Sequence, residues 1–140
     1  MAWLLEKGEK IRLPMEWEWQ QAATGGNPKN EFPWGPKWDE SRCNTAESGL
    51  KRATVVGLYP KGTWPDGPLD IAGNVWEWCL NKYDNPLDSR AVVIDESGSR
   101  VLRGGSWDNN HDYARCATRA GSFPVSRADG YGFRCARTFK

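Results

Sequence analysis

Histidine is nearly absent from this chain, with His111 the single one in 140 residues. That excludes a metal centre built from a cluster of histidines. The four cysteines, Cys43, Cys79, Cys116 and Cys135, are far apart and form no C-x-x-C pair, so a Cys/His zinc site lacks its ligands too. Charge of one sign is not in excess: 19 Lys and Arg face 18 Asp and Glu, a formal net charge of +1. Nothing therefore draws the protein to nucleic acid or to an anionic membrane surface. No run of about 18 apolar residues occurs, so no membrane span is expected. Met1–Lys7 has too short an apolar stretch and the wrong flanks for a signal peptide. The expectation is one soluble domain, residues 1–140, with no visible address.

What the chain does have is tryptophan. Nine Trp among 15 Gly and 9 Pro, at a mean hydropathy of −0.73, describe much loop laid over an aromatic centre. Each Trp can bury roughly 200 Å², enough for a few to anchor a core. Disorder is rejected, since disordered chains are poor in aromatics. Isolated cysteines are most often small buried hydrophobes, and Cys116 and Cys135 are read so, at apolar strand ends. A disulfide between them stays open.

Residues 2–8 read as the end of a helix stopped at Gly8. A second helix is expected over 14–23, with Pro14 in its first position, Glu16 and Glu18 at its positive end and Gly25 as its cap. Met15, Trp19, Ala22 and Ala23 would form its buried face. From 27 to 68 proline and glycine interrupt every pattern, and Thr54-Val55-Val56 is the one short strand expected there. Val92-Val93-Ile94 is apolar but short, and Asp95–Ser99 is a turn. Arg100–Trp107 reads as a strand running into a glycine corner. Gly132–Arg137 alternates like a half-buried strand.

Four segments, in order, carry a resemblance. They are Arg12-Leu13-Pro14-x-Glu16-x-Glu18-Trp19 with Ala22-Ala23; Phe32-Pro33-Trp34-Gly35; Asp70-Ile71-Ala72-Gly73-Asn74-Val75-Trp76-Glu77-Trp78; and Arg103-Gly104-Gly105-Ser106-Trp107, followed by Arg115-Cys116-Ala117 and Gly132-Phe133-Arg134-Cys135. Together they resemble the formylglycine-generating-enzyme (sulfatase-modifying) family. The resemblance implies an α+β, loop-rich variant of the C-type-lectin-like fold with short helices and short antiparallel strands. It also implies a domain truncated at its N-terminal side, so that strand 132–137 would lack its usual partner. A companion chain or an oligomer is expected to supply it.

The resemblance further implies a structural calcium ion held by the Asp70 side chain, the carbonyls of Gly73 and Val75, and Glu77. Two carboxylates around a Gly-Asn turn are hard oxygen donors of the kind calcium takes. The alternative is that Asp70 and Glu77 merely hydrogen-bond the loop. Asn44 could belong to a second such site, but Glu47–Leu50 depart from its pattern and no second site is claimed. The oxidase chemistry of the family needs a copper-binding cysteine pair just after the G-G-S-W corner. Asp108–Ala114 contains none, so no copper and no catalytic residues are expected. The iron-dependent relatives use several histidines, which closes that route as well. His111 beside Asp108 or Asp112 reads as a solvated loop cluster rather than an acid–base pair.

Residues 104–137 divide into a frame and gaps. The frame is Gly104–Trp107, Ala114–Ala117, Arg119, Pro124, Arg127 and Gly132–Arg137. The seventeen gap positions are Asp108, Asn109, Asn110, His111, Asp112, Tyr113, Thr118, Ala120, Gly121, Ser122, Phe123, Val125, Ser126, Ala128, Asp129, Gly130 and Tyr131. This resembles the variable proteins of diversity-generating retroelements, in which adenines of AAC template codons are mutated and every product codon ends in C. Such codons cannot encode Lys, Glu, Gln, Met or Trp, and none of these five stands at a gap. With ordinary usage that absence arises by chance in roughly a few per cent of cases. The reading is a non-catalytic module binding a protein or other macromolecular ligand through the 108–131 loops, with Trp107, Arg115, Arg119 and Arg127 as scaffold. The alternative is a sulfatase-modifying oxidoreductase or a degenerate relative of one.

Overall fold

The computed structural model describes residues 10–84 and 97–138. The expected helix over 2–8 and the strand 92–94 lie outside these residues, as does part of the 95–99 turn. Strand β1 (Lys10–Arg12) leads into helix α1 (Glu16–Thr24), and the chain then runs through loops and two 3₁₀ turns, Glu40–Arg42 and Ala46–Ser48. Strands β2 (Trp76–Lys82) and β3 (Arg100–Arg103) pair antiparallel. A third 3₁₀ turn, His111–Ala114, precedes β4 (Arg119–Ser122), β5 (Tyr131–Gly132) and β6 (Ala136–Thr138). The main sheet has the order β4-β3-β2-β5, with β5 parallel to β2, and β1 and β6 form a separate antiparallel pair.

Helix α1 forms much as its sequence says. Met15 is extended (φ −68°, ψ 152°) and caps the first turn, which leaves Pro14 just outside the helix. Glu18 reaches back to the Met15 N–H at 2.8 Å and also holds Arg12, which in turn meets Thr138 on β6. Gly25 closes the helix at φ 62°, and no other residue fits there, because a Cβ would lie 2.8 Å from the Trp64 ring. Trp19 and Ala23 go into the core with Ile71, Cys79, Val101 and Cys116. A second cluster gathers Cys43, Ala72 and Ala114 under Trp34 and Trp38, with Phe32 stacked on Trp34 at 5.4 Å.

Glu16 has partners that the sequence did not suggest. It stands in the first turn of the helix as expected but is also buried, accepting from Arg103 Nη1 at 2.8 Å and from Arg119 Nη2 at 3.0 Å. Arg103 lies 5.0 Å over the Trp19 ring, and Trp19 Nε1 donates to Glu77 Oε2 at 2.7 Å. Glu77 in turn takes Arg134 in a two-point pair, Nε at 2.6 Å and Nη2 at 2.7 Å. Helix, sheet and C-terminal segment are thus joined by two buried carboxylates.

Three expectations are corrected. Thr54-Val55-Val56 is not a strand: the Thr54 N–H and hydroxyl go to the Asn74 side chain, and Val55 and Val56 are 72% and 77% exposed. Residues 132–137 are not one strand. A Cβ on Gly132 would stand 2.7 Å from Val75 Cγ2, so the chain runs tight against the loop before β2. Past it the chain leaves the main sheet, exposes Phe133 and Cys135, turns Arg134 inward and joins β1 as β6. β6 therefore has a partner within the chain, which removes the argument for a companion from an unpaired terminal strand. The four cysteines are free; Cys116 is buried as expected but Cys135 is exposed.

Replacing Glu77 by Ala leaves the Arg134 guanidinium without its carboxylate and the Trp19 N–H without an acceptor. We expect a loss of about 3–5 kcal/mol in urea denaturation at neutral pH. A loss below about 1 kcal/mol would show that the pair does not fix the fold.

Candidate functional site

The glycine corner at the end of β3 organises the site. Gly104 (φ 96°) and Gly105 (φ 72°) turn the chain where side chains cannot go: a Cβ on Gly104 would meet the Ile71 carbonyl at 2.7 Å. Gly73 N–H donates to the Gly104 carbonyl and Trp107 N–H to the Asn74 carbonyl, at 2.7 and 3.0 Å. The 70–77 loop and the corner therefore hold one another.

None of the seventeen gap positions is buried, whereas Gly104, Gly105, Ser106, Ala114 and Cys116 of the frame are. The gap residues do not all share one face. Asp108, Asn109, Ala128, Asp129, Gly130 and Tyr131 line a single cleft of about 410 Å³ with Trp76, Ser106 and Trp107. Tyr113 sets its edge on Trp76 (6.1 Å between centroids), and Tyr131 sets its edge on Trp78 (5.6 Å). Ala120, Gly121 and Ser122 lie on β4, the opposite edge of the sheet from β5. Phe123 and Val125 follow them, 58% and 79% exposed, and Ser126 N–H donates to the Phe123 carbonyl at 2.8 Å. The surface is two patches at opposite sheet edges.

Several gap residues serve the structure. Asn109 Oδ1 accepts from Trp76 Nε1 (2.7 Å), Ser106 Oγ (2.8 Å) and Ser106 N (3.1 Å), and its carbonyl takes the Ala46 N–H. Asn110 caps the third 3₁₀ turn by accepting from Asp112 N. Thr118 Oγ1 donates to the Asp112 carbonyl. Among the scaffold arginines, Arg119 holds Glu16 and lies 4.7 Å over Tyr83, and Arg115 holds Glu31 and Asp112. Arg127 is exposed and has no described partner.

His111 is set by a residue the sequence did not single out. Its backbone N–H and its Nδ1 both lie 2.8 Å from Glu47 Oε1, its ring stacks on Trp38 at 5.1 Å, and Asp112 is farther, at 3.7 Å. Burial pushes the Glu47 carboxyl up, but hydrogen bonds from Thr45 and His111 outweigh it and bring it down to about 2. The thiols of Cys43, Cys79 and Cys116 are pushed up to about 12, chiefly by burial, so they are poor nucleophiles and metal ligands at neutral pH.

At the 70–77 loop, Asp70, Val75 and Glu77 line one cleft with Asn74 and Arg134. Asp70 Oδ2 accepts from Gly57 N at 2.6 Å, and the carbonyls of Gly73 and Val75 accept no hydrogen bond from the described residues. This donor set fits a hard cation except at Glu77, whose carboxylate already lies on Arg134. Asn44 is loop glue, donating to the Arg52 carbonyl at 2.8 Å and accepting from Ser48 Oγ.

The short mixed sheet, the core helix and the long pinned loops of the described residues are those of a C-type-lectin-like domain. A profile of the family described as "Sulfatase-modifying factor enzyme 1-like domain" matches residues 2–139, and the chain belongs to that family. It is 36% identical to the inactive C-alpha-formylglycine-generating enzyme 2 of Bos taurus, over 89% of this chain and 43% of that protein. It is also 36% identical to the formylglycine-generating enzyme of Streptomyces coelicolor, over 89% of this chain and 46% of that one. Among solved structures it is similar to Treponema denticola variable protein 1, with TM-score 0.70, 30% identity, and 89% and 46% of the two chains covered. The chain thus spans less than half the length of these three proteins.

The lowered Glu47 carboxyl gives a pH signature. Its ordinary value is 4.5, so its stabilisation is complete above about pH 4.5 and is lost as the pH falls through the folded value. The difference in melting temperature between wild type and Glu47→Gln should shrink as the pH falls from about 4.5 toward 2. A difference that grows over that range would refute the assignment.

Proposed function

We propose that this formylglycine-generating-enzyme-like domain is a non-catalytic binding module whose exposed loop positions between 108 and 131 are diversified to meet macromolecular ligands. One observation carries the reading: every gap position is at least partly exposed, while the corner they adjoin, Gly104, Gly105 and Ser106 with Ala114 and Cys116, is buried and its two glycines have no room for a side chain. Side chains can change there without disturbing the core. The likeness to a variable protein and to a relative named as inactive supports it. So does the sealing of three thiols away from the corner, where the oxidase chemistry of the family would need an accessible pair. Asn109, with three donors on its side chain, belongs with the frame.

The deciding measurement is the gene sequence with its 3′ flank. Codons ending in C at the gap positions, beside a near-identical template bearing AAC there, are expected. Mixed codons without a template would favour the degenerate-enzyme reading. Oxidation of a cysteine-containing peptide by the copper-loaded protein would establish an enzyme.

The same reading retains calcium in the 70–77 loop, where it would tie the loop to the corner, held by Asp70 and the carbonyls of Gly73 and Val75, with Glu77 left to Arg134. At a hundredfold excess over its dissociation constant calcium should add about 2.7 kcal/mol, raising Tm by roughly 5–15 °C. Asp70→Asn should abolish the response. An unchanged melt at about 10 mM calcium would remove the ion, leaving the carboxylates as hydrogen-bond acceptors.

A further inference from the structure

We propose that the cleft between the 106–109 corner and the 128–131 loop takes a positively charged side chain of a protein ligand, arginine in preference to lysine. This rests on the reading of the loops as a binding surface and names the chemistry that one of its patches selects.

The groups lining the cleft fall into two kinds. Ser106 Oγ, Asn109 Oδ1 and the Trp76 N–H are occupied by one another, so these atoms form part of the wall. Asp108 and Asp129 are the opposite. Both are exposed, and among the described contacts neither carboxylate meets a cation or a hydrogen-bond donor. Glu16, Glu18, Glu31, Asp39, Glu47, Glu77 and Asp112 each face an arginine or the histidine, whereas Glu40, Asp66, Asp70 and Asp84, which lie outside this cleft, share with Asp108 and Asp129 the lack of a described ion pair. Arg127, two residues from Asp129, makes no ion pair with either aspartate.

Both aspartates are positioned from the frame through their backbones. The Asp108 N–H donates to Ser106 Oγ at 3.3 Å, and the Asp129 carbonyl lies 3.5 Å from Trp107 Nε1. Trp76, Trp107 and Tyr131 line the cleft with Ala128 and Gly130. Carboxylates in a cleft that aromatic side chains also line attract a cation by ion pairing, and by the ring quadrupole where it meets a ring face, and repel an anion. A guanidinium serves both better than an ammonium, because it pairs in the plane of its fork and stacks on a ring at the same time.

The test uses the full chain, isotopically labelled, with the indole N–H signals of Trp76 and Trp107 followed by NMR. The probes are the N-acetyl methylamides of arginine, lysine and citrulline, the last an uncharged near-isostere of arginine. Arginine should produce a saturable shift. The apparent dissociation constant should rise at least about tenfold for citrulline and for the Asp108→Asn/Asp129→Asn variant, with lysine between them. Equal responses to arginine and citrulline, an undiminished response in the double variant, or no saturable shift overturns the cation assignment. The two ideas fail separately. Mixed codons without a template would remove diversification while an arginine-specific shift stood, and a shift shared equally by citrulline would leave a binding cleft of other chemistry.

Discussion

The indole of Trp19 is held between two buried charge pairs, and the rest of the architecture depends on that clamp. Its N–H ends on Glu77, which Arg134 neutralises, and its ring lies under Arg103, which Glu16 neutralises. Helix, central strands and the C-terminal segment meet at one side chain. Buried ion pairs are a poor source of net stability, because desolvation offsets much of their attraction. Their use here is geometric. Arg103 is the last residue of β3, so fixing it fixes where the glycine corner begins, and through the corner where both the 70–77 and 108–113 loops lie.

That arrangement separates two kinds of constraint along one stretch of chain. At 104 and 105 the chain is confined by backbone packed closer than a side chain allows, and the glycines have no alternative. A few residues later the side chains are exposed or half-buried. The boundary is not where a spacing pattern puts it. Asn109 falls among the gaps by position, yet it gathers three donors and belongs to the corner.

Much of the fold was legible in the sequence where local chemistry and tertiary demand agree. Gly25 ends a helix because it can take φ 62°, and Arg100–Trp107 is a strand that must turn because two glycines follow it. Failures came where one pattern serves two structures. Gly132–Arg137 alternates as a single strand would, yet the same alternation fits a chain that leaves one sheet and joins another. Glu16 reads as a helix-end carboxylate, and nothing local says that two arginines more than eighty residues away will cover it. Glu47 had no pattern at all, since its partner is brought to it by the loops. The candidate surface was legible as a set of positions but not as a shape, because the strand order β4-β3-β2-β5 divides those positions between two edges.

The pairing of β1 with β6 sets Lys10 opposite Thr138. Paired strands run about 5 Å apart, so two stretches of chain far apart in sequence are held side by side, and everything between them is closed into one loop by their backbone hydrogen bonds.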